Sequence, residues 1–357
     1  MLIVRSPVRI SFGGGGTDLP AYYEQFGGAV LNAAINKYFY TILGRRSDEC
    51  IQIISSDLRL CESWRGLSAM EIEGSRLEIP VAALKYLGQE MYVDLFLASE
   101  IPPGTGLGSS ASVCVNVLKT LTNYLQTPLS KQDLADTAFH IARHVLHRHI
   151  GKQDEYAAAF GGLNFIEFMA NGASQVQAVD LGNSSMTELQ NNLLLFFTGA
   201  AHHSWGILEE QERSTESQSR KPIEALHEIK ELAFRMRDAL SSGDLRAFAS
   251  MLHDSWMAKR QVSTRISNSR IDALYEIAIN NGALGGKITG AGGGGFLLLY
   301  CEPPRQQDVR QALDAEGLKE MTFNFDFQGA QVLVNDPFVD NDERSASRWT
   351  FVPTAVS

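Results

Sequence analysis

Apolar and polar positions alternate with two distinct periods along this chain of 357 residues. Runs rich in β-branched and aromatic side chains predict strands at residues 2–5 and 9–12 around Pro7, then at 29–35, 38–43, 51–55 and 91–98. A short helix is predicted at 79–87, with Pro80 in its first turn. Residues 113–125 carry no Gly or Pro and read as a helix that begins beside Ser109 and Ser110. In 133–147, Leu134, Ala138, Ile141 and Val145 share one helical face, and strands follow at 163–169 and 175–179. Apart from that last strand, 171–192 is polar and poorly periodic. It marks the boundary between two domains, 1–185 and 186–357.

The second half opens on a strand at 193–197. Residues 209–221 hold no apolar side chain and predict a mobile surface loop or an extended helix end. Amphipathic helices are expected at 222–240, 245–260 and 268–281, with Trp256 as a core residue and Lys259 as a surface one. A dense glycine run, 285–295, leads into a strand at 296–301. A helix at 306–316 and strands at 321–325 and 332–334 end the pattern, and 340–347 is charged and loose.

Hydrophobic content of 44% and charged content of 20% suit a globular protein with a proper core. Lys and Arg number 31 against 41 Asp and Glu, a net charge of −10 that disfavours nucleic acid and anionic membranes as partners. The four cysteines form no C-x-x-C pair, and Cys114 and Cys301 sit in apolar runs as core residues. With no run as long as a membrane span and no secretory N-terminus, the expectation is a soluble cytoplasmic protein in a reducing compartment. His140, His144 and His147 fall on one side of a helix, with Asp136 a turn earlier. No cysteine joins them and Arg143 and Arg148 add repelling charge, so a solvated face is favoured over a zinc site.

Candidate chemistry centres on residues 101–112, I-P-P-G-T-G-L-G-S-S-A-S. Gly104, Gly106 and Gly108 leave main-chain N–H groups uncrowded just where a helix begins, which suits a phosphate. The plainer alternative is a strand-to-helix turn capped by two serines. A dinucleotide G-x-G-x-x-G fails at Ser109, and a Walker loop fails because no lysine follows until Lys119. A second cluster, Gly13 to Gly16, runs into Thr17 and Asp18, where the carboxylate is placed to accept bonds from a polyol. Asp154 opens an alanine-rich helix two residues after Lys152, as an acid/base candidate or as an ordinary first-turn residue.

Three motifs together resemble the GHMP small-molecule kinases. P-x-x-x-G-L-G-S-S-A appears at 102–111, S-P-V-R-I with T-D at 6–10 and 17–18, and K-I-T-G-A-G-G-G-G-F at 287–296. The stretches F-G-G-G-G-T-D-L-P at 12–20 and I-G-K-Q-D-E-Y at 150–156 look like its sugar-1-kinase branch. The resemblance implies an α+β, two-domain fold with the site in the interdomain cleft. It implies ATP-dependent phosphorylation of the anomeric hydroxyl of a heptose 7-phosphate to the 1,7-bisphosphate, toward a nucleotide-activated heptose for surface polysaccharide. A fucose- or galactose-type sugar, or a silent sugar and nucleotide sensor, stays open as an alternative. ATP and the sugar phosphate are the implied partners with Mg2+ as cofactor, and a homodimer is one assembly the reading allows.

By that resemblance Pro103, Gly104, Thr105, Gly106, Leu107, Gly108, Ser109 and Ser110 would cradle the nucleotide, and Ser110 would touch Mg2+. Asp154 would take or hold the acceptor proton with Arg9 beside it. Gly14, Gly15, Gly16, Thr17, Asp18 and Lys152 would meet the sugar, and Gly292 and Gly293 would close the site. Arg65, Arg143, Arg148 and Lys152 are candidates for the sugar's own phosphate. Two departures stand out. Family members supply a glutamate about a dozen residues before the catalytic aspartate as a second metal ligand, and 141–144 offers no carboxylate. His202 stands where the branch pattern has arginine.

Overall fold

The computed structural model describes residues 1–199 and 205–336, so His202, His203 and the 340–347 segment lie outside the described residues. The chain starts with β1 (Leu2–Gly13), α1 (Pro20–Phe26), β2 (Gly28–Arg45), β3 (Ile51–Ser55), β4 (Leu60–Trp64), α2 (Glu78–Leu87) and β5 (Val93–Ser99). It continues through α3 (Ser109–Tyr124), α4 (Lys131–His140), α5 (Gln153–Phe160), β6 (Leu163–Phe168), β7 (Ser174–Ala178) and α6 (Asn183–Asn192). Then follow β8 (Leu193–Phe197), α7 (Trp205–Glu216), α8 (Arg220–Ser242), α9 (Leu245–Lys259) and α10 (Ser269–Asn280). β9 (Gly285–Ile288), β10 (Phe296–Tyr300), α11 (Pro303–Ala315), β11 (Lys319–Glu320) and β12 (Gln331–Asn335) complete it.

Eight strands form one sheet in the order β12-β1-β2-β5-β3-β4, with β6 also on β2 and β7 on β6. Four antiparallel strands form the other, β11-β8-β10-β9. β2 is long enough to serve two neighbours on one edge, pairing β6 through its first half and β5 through its second. The two short strands expected around Pro7 are one continuous strand. Pro7 has no N–H to give a ladder, and the register shifts between Pro7 and Val8, where Asn36 and Lys37 bulge from β2. The same bulge explains why 29–35 and 38–43 are also one strand.

One apolar cluster fills the space between the first sheet and α2, α3 and α4. A second joins β1, β2 and β6 to α8, α9, β8 and β10, so the sheets share a core. A third backs the second sheet with α10 and α11. Of the two expectations for 209–221, a mobile loop or an extended helix end, the second holds, since 209–216 is the latter part of α7. Its buried face is written in polar residues, Gln211, Glu212 and Thr215, which hides the helical period from a hydrophobicity reading. The strand expected at 321–325 does not form: β11 ends just before it, and within it only Phe325 makes a single bridge, to Ile35. No helix among the described residues is long and apolar enough to cross a membrane.

α5 stops at Gly161, whose φ of 66° and ψ of 177° belong to a region open to glycine alone. A Cβ there would lie 2.2 Å from the main-chain nitrogen of Gly329, on the segment that leads into β12. Gly161→Ala is therefore expected to cost about 2 kcal/mol or more of stability, read as a lower urea midpoint. An unchanged midpoint would contradict this packing.

Candidate active site

β5 delivers the chain to the loop at 104–108. Gly104, Gly106 and Gly108 all have φ between 75° and 79°, the left-handed region that L side chains avoid. Alternating such residues turns successive main-chain N–H groups toward one concavity. Gly108 caps α3, and no side chain bonds to that helix end, so its first N–H groups are free of a side-chain cap. Gly104, Gly106, Gly108, Ser109 and Ser110 line the cleft. Pro103 lines an adjoining apolar pocket with Phe39 and Leu97. Thr105 and Leu107 point inward instead. Thr105 bonds the Pro102 carbonyl at 3.1 Å, and Leu107 is core.

Arg9 on β1 holds this loop and Asp154 together. Its Nε and one Nη donate to the two carboxylate oxygens of Asp154 at 2.7 Å each, and its other Nη donates to the Gly106 carbonyl at 2.6 Å. The Arg9 side chain is 4% exposed and that of Asp154 is 26%, so the guanidinium is sealed behind while the carboxylate meets the cleft. Glycine at 108 lets Asp154 come this near: a Cβ there would stand 3.1 Å from Oδ2.

The second glycine run closes the opposite wall by touching main chain. A Cβ on Gly106 would fall 2.6 Å from the Thr289 carbonyl oxygen, one on Gly290 2.6 Å from the Gly106 Cα, and one on Gly295 2.3 Å from the Thr105 oxygen. Gly290 and Ala291 border the cleft. Gly292 and Gly293, expected to close it, pack on the main chain of Ile266 instead, where Gly293 donates at 2.7 Å. They shape the loop from behind.

From the first glycine cluster Gly15, Gly16 and Asp18 line the cleft. Asp18 accepts from Gly16 N at 2.9 Å and from Gln153 N at 3.2 Å, tying the first loop to the start of α5. Burial leaves its pKa raised, with the charge of Asp154 adding to the rise and those two N–H bonds opposing it. Gly14 and Thr17 are structural: Thr17 Oγ1 donates to the Gly14 and Ala29 carbonyls, and both residues are buried behind the loop. Lys152 also departs from expectation. Its ammonium donates to the Gly172 carbonyl and lies 5.4 Å over Tyr23 and 5.3 Å over Phe139, away from the cleft. Of the four cations considered for a sugar phosphate, Arg148 alone lines the cleft among the described residues. Arg65 is exposed elsewhere, and Arg143 pairs with Glu212.

Several cleft residues escaped the sequence reading, Gln211, Lys259 and Glu155 among them. Gln211 of α7 donates to the Gly16 carbonyl at 3.0 Å. Lys259, expected on the surface, ends α9 inside the cleft and donates to the Gly290 carbonyl. Burial lowers its pKa to about 8, Arg9 adds repulsion, and Asp18 and Asp154 oppose the fall. Behind it Lys287 donates to the Phe12 carbonyl at 3.2 Å, and burial with Lys259 and Arg9 nearby drives its pKa well below the usual lysine range. Their apolar and glycine-rich sequence neighbours gave no sign of a charge turned inward. The histidines at 140, 144 and 147 are exposed, and no group of three His, Cys, Asp or Glu side chains poised for a metal occurs among the described residues.

Ser110 accepts from Arg148 at 2.7 Å, and Arg148 also bonds Glu78. Mg2+ takes hard oxygen donors and draws most of them from phosphate and water. The Ser110 hydroxyl, the Asp154 carboxylate and Glu155, whose buried Oε2 accepts no hydrogen bond, fit that demand.

Comparison with known proteins identifies the family. The family described as "GHMP kinases N terminal domain" matches residues 78–162, and "GHMP kinases C terminal" matches 236–319. The D-glycero-alpha-D-manno-heptose 7-phosphate kinase of Campylobacter jejuni is 32% identical over 332 residues, 92% of this chain and 97% of that protein. Among solved structures, a D-glycero-D-manno-heptose 1-phosphate kinase from Bacteroides thetaiotaomicron superposes with a TM-score of 0.79 at 29% identity, covering 94% of this chain and 100% of that one. A putative sugar kinase from Campylobacter jejuni gives 0.76 at 31%, covering 93% and 97%. The chain has the GHMP kinase fold, belongs to the GHMP kinase family, and is an ATP-dependent kinase.

Proposed function

We propose that this kinase phosphorylates the anomeric hydroxyl of D-glycero-α-D-manno-heptose 7-phosphate, giving the 1,7-bisphosphate for nucleotide-activated heptose synthesis. The observation that carries it is the Arg9-clamped Asp154 at the mouth of the glycine loop, in a chain 32% identical to a kinase of that name. The solved relative described as a heptose 1-phosphate kinase shares the sugar and differs in the phosphate position, so the position of the new phosphate distinguishes the two reactions. On this reading residues 1–185 and 186–357 are the lobes that close on the two substrates.

Main-chain N–H groups of 104–110 hold the triphosphate at the end of α3. Asp154 orients the acceptor O–H and takes its proton as the new O–P bond forms and the bond to the departing ADP breaks. Lys259 faces the oxygens of the transferring group, and Arg9 acts behind it through the carboxylate it holds, in a cleft where low dielectric strengthens each charge. Asp18, Gly15, Gly16 and Gln211 border the sugar. Mg2+, held by Ser110 with carboxylate help, would supply charge to the phosphate oxygens. Preorganised positioning, rather than covalent chemistry, is what such a site contributes.

ADP release measured over phosphorylated and free heptoses, fucose and galactose should be greatest with the heptose 7-phosphate, and phosphorus NMR should find the new phosphate on the anomeric carbon. Turnover confined to free sugars, or phosphate on another carbon, would contradict the proposal. Lys259 gives a pH test, because its charge is present below about 8 and lost above it. Arg9, Asp18, Asp154 and Lys287 are the charged groups that face it. In wild type kcat/KM should fall as pH rises through about 8, and Lys259→Arg should move that limb upward. An identical alkaline limb in the variant would remove Lys259 from the mechanism.

A further inference from the structure

α5 opens with two adjacent carboxylates, and only the first is answered by a cation. Arg9 clamps Asp154 and Glu78 takes Arg148, while no Lys, Arg or His among the described residues forms a salt bridge with Glu155. Glu155 is 2% exposed and lines the same cleft as Ser110 and Asp154, and its Oε2 accepts no hydrogen bond. A buried carboxylate oxygen without a donor or a cation is expensive to keep. Its element is placed from a second direction, because α5 packs against α3, the helix that Ser109 and Ser110 open. The π turn Ile141–Val145, which packs on α2 and α4, carries no carboxylate and offers Ala142 to the same cleft.

We propose that Glu155 is the carboxylate ligand that joins Ser110 in holding the divalent cation of the bound nucleotide. The proposal rests on the phosphotransferase reading of the cleft. Two protein oxygens are enough, since phosphate and water complete a Mg2+ shell, and this agrees with the absence of any three-residue ligand group among the described residues. Glu78 offsets the guanidinium of Arg148 beside Ser110, which leaves Glu155 to meet the cation. The competing role is a protonated Glu155 that merely fills space, and Glu155→Gln copies that state in shape and hydrogen bonding.

Mn2+ binding to wild type and Glu155→Gln, followed by electron paramagnetic resonance with a non-hydrolysable ATP analogue present, separates the two roles. Calorimetry of the same analogue without metal serves as the reference. The proposal expects Mn2+ affinity in the ternary complex to fall by about tenfold or more, with metal-free analogue binding unchanged. Equal Mn2+ affinity in both proteins would overturn it and leave the phosphotransferase reading intact. A wild type that takes up no analogue with Mn2+ would overturn both. If Glu155→Gln shows no cooperative urea transition, Glu155→Asp is read instead. It keeps the charge with a shorter reach, so weakened Mn2+ binding supports the assignment and unchanged binding overturns it.

Discussion

The buried guanidinium of Arg9 is the joint on which this structure depends. Three donated bonds tie β1, the glycine loop and the first turn of α5, three segments distant in sequence, into one rigid corner. A two-pronged grip on a carboxylate fixes both its distance and its plane, which a single lysine could not do. Without Arg9, Asp154 would lose its orientation and the Gly106 carbonyl its donor in the same step. Removing one partner of such a pair strands the other, a loss of about 3–5 kcal/mol where both are fully buried and less here, with Asp154 partly open to the cleft.

Around that corner the molecule gives up side chains so that main chain can approach main chain. Gly106 against Thr289 and Gly290, and Gly295 against Thr105, leave no room for a Cβ on either side. Cations are then brought in from behind. Lys259 and Lys287 are held in the interior by single carbonyl acceptors, and burial depresses both. Such charges are poor choices for stability alone. A cleft that must hold several phosphate oxygens gives them a reason to be there.

The loop at 104–110 was legible because glycine spacing, helix start and strand end are local facts, whereas the GHMP kinase fold and Arg9 were legible only through the family motifs. Asp18 and Asp154 stood out locally as candidates, but nothing local separates Asp154 from an ordinary first-turn aspartate. Lys259 could not be found by pattern: it closes an ordinary amphipathic helix, and only the packing of α9 on β9 and β1 turns it inward. The end of α7 was left open between loop and helix for a related reason, as its buried face bonds through Gln211 and Glu212. Lys152 shows the reverse error. A cation two residues from the key carboxylate in sequence is carried by the helix start to the far side, among Tyr23 and Phe139.

The central claim is that Asp154, aimed by Arg9, faces the oxygen that receives the phosphoryl group. Single-turnover transfer by Asp154→Asn, measured beside the affinity of the same variant for ATP, tests it most directly. The account predicts that transfer slows by about 10³-fold while ATP affinity stays near the wild-type value. Transfer at close to the wild-type rate would contradict it.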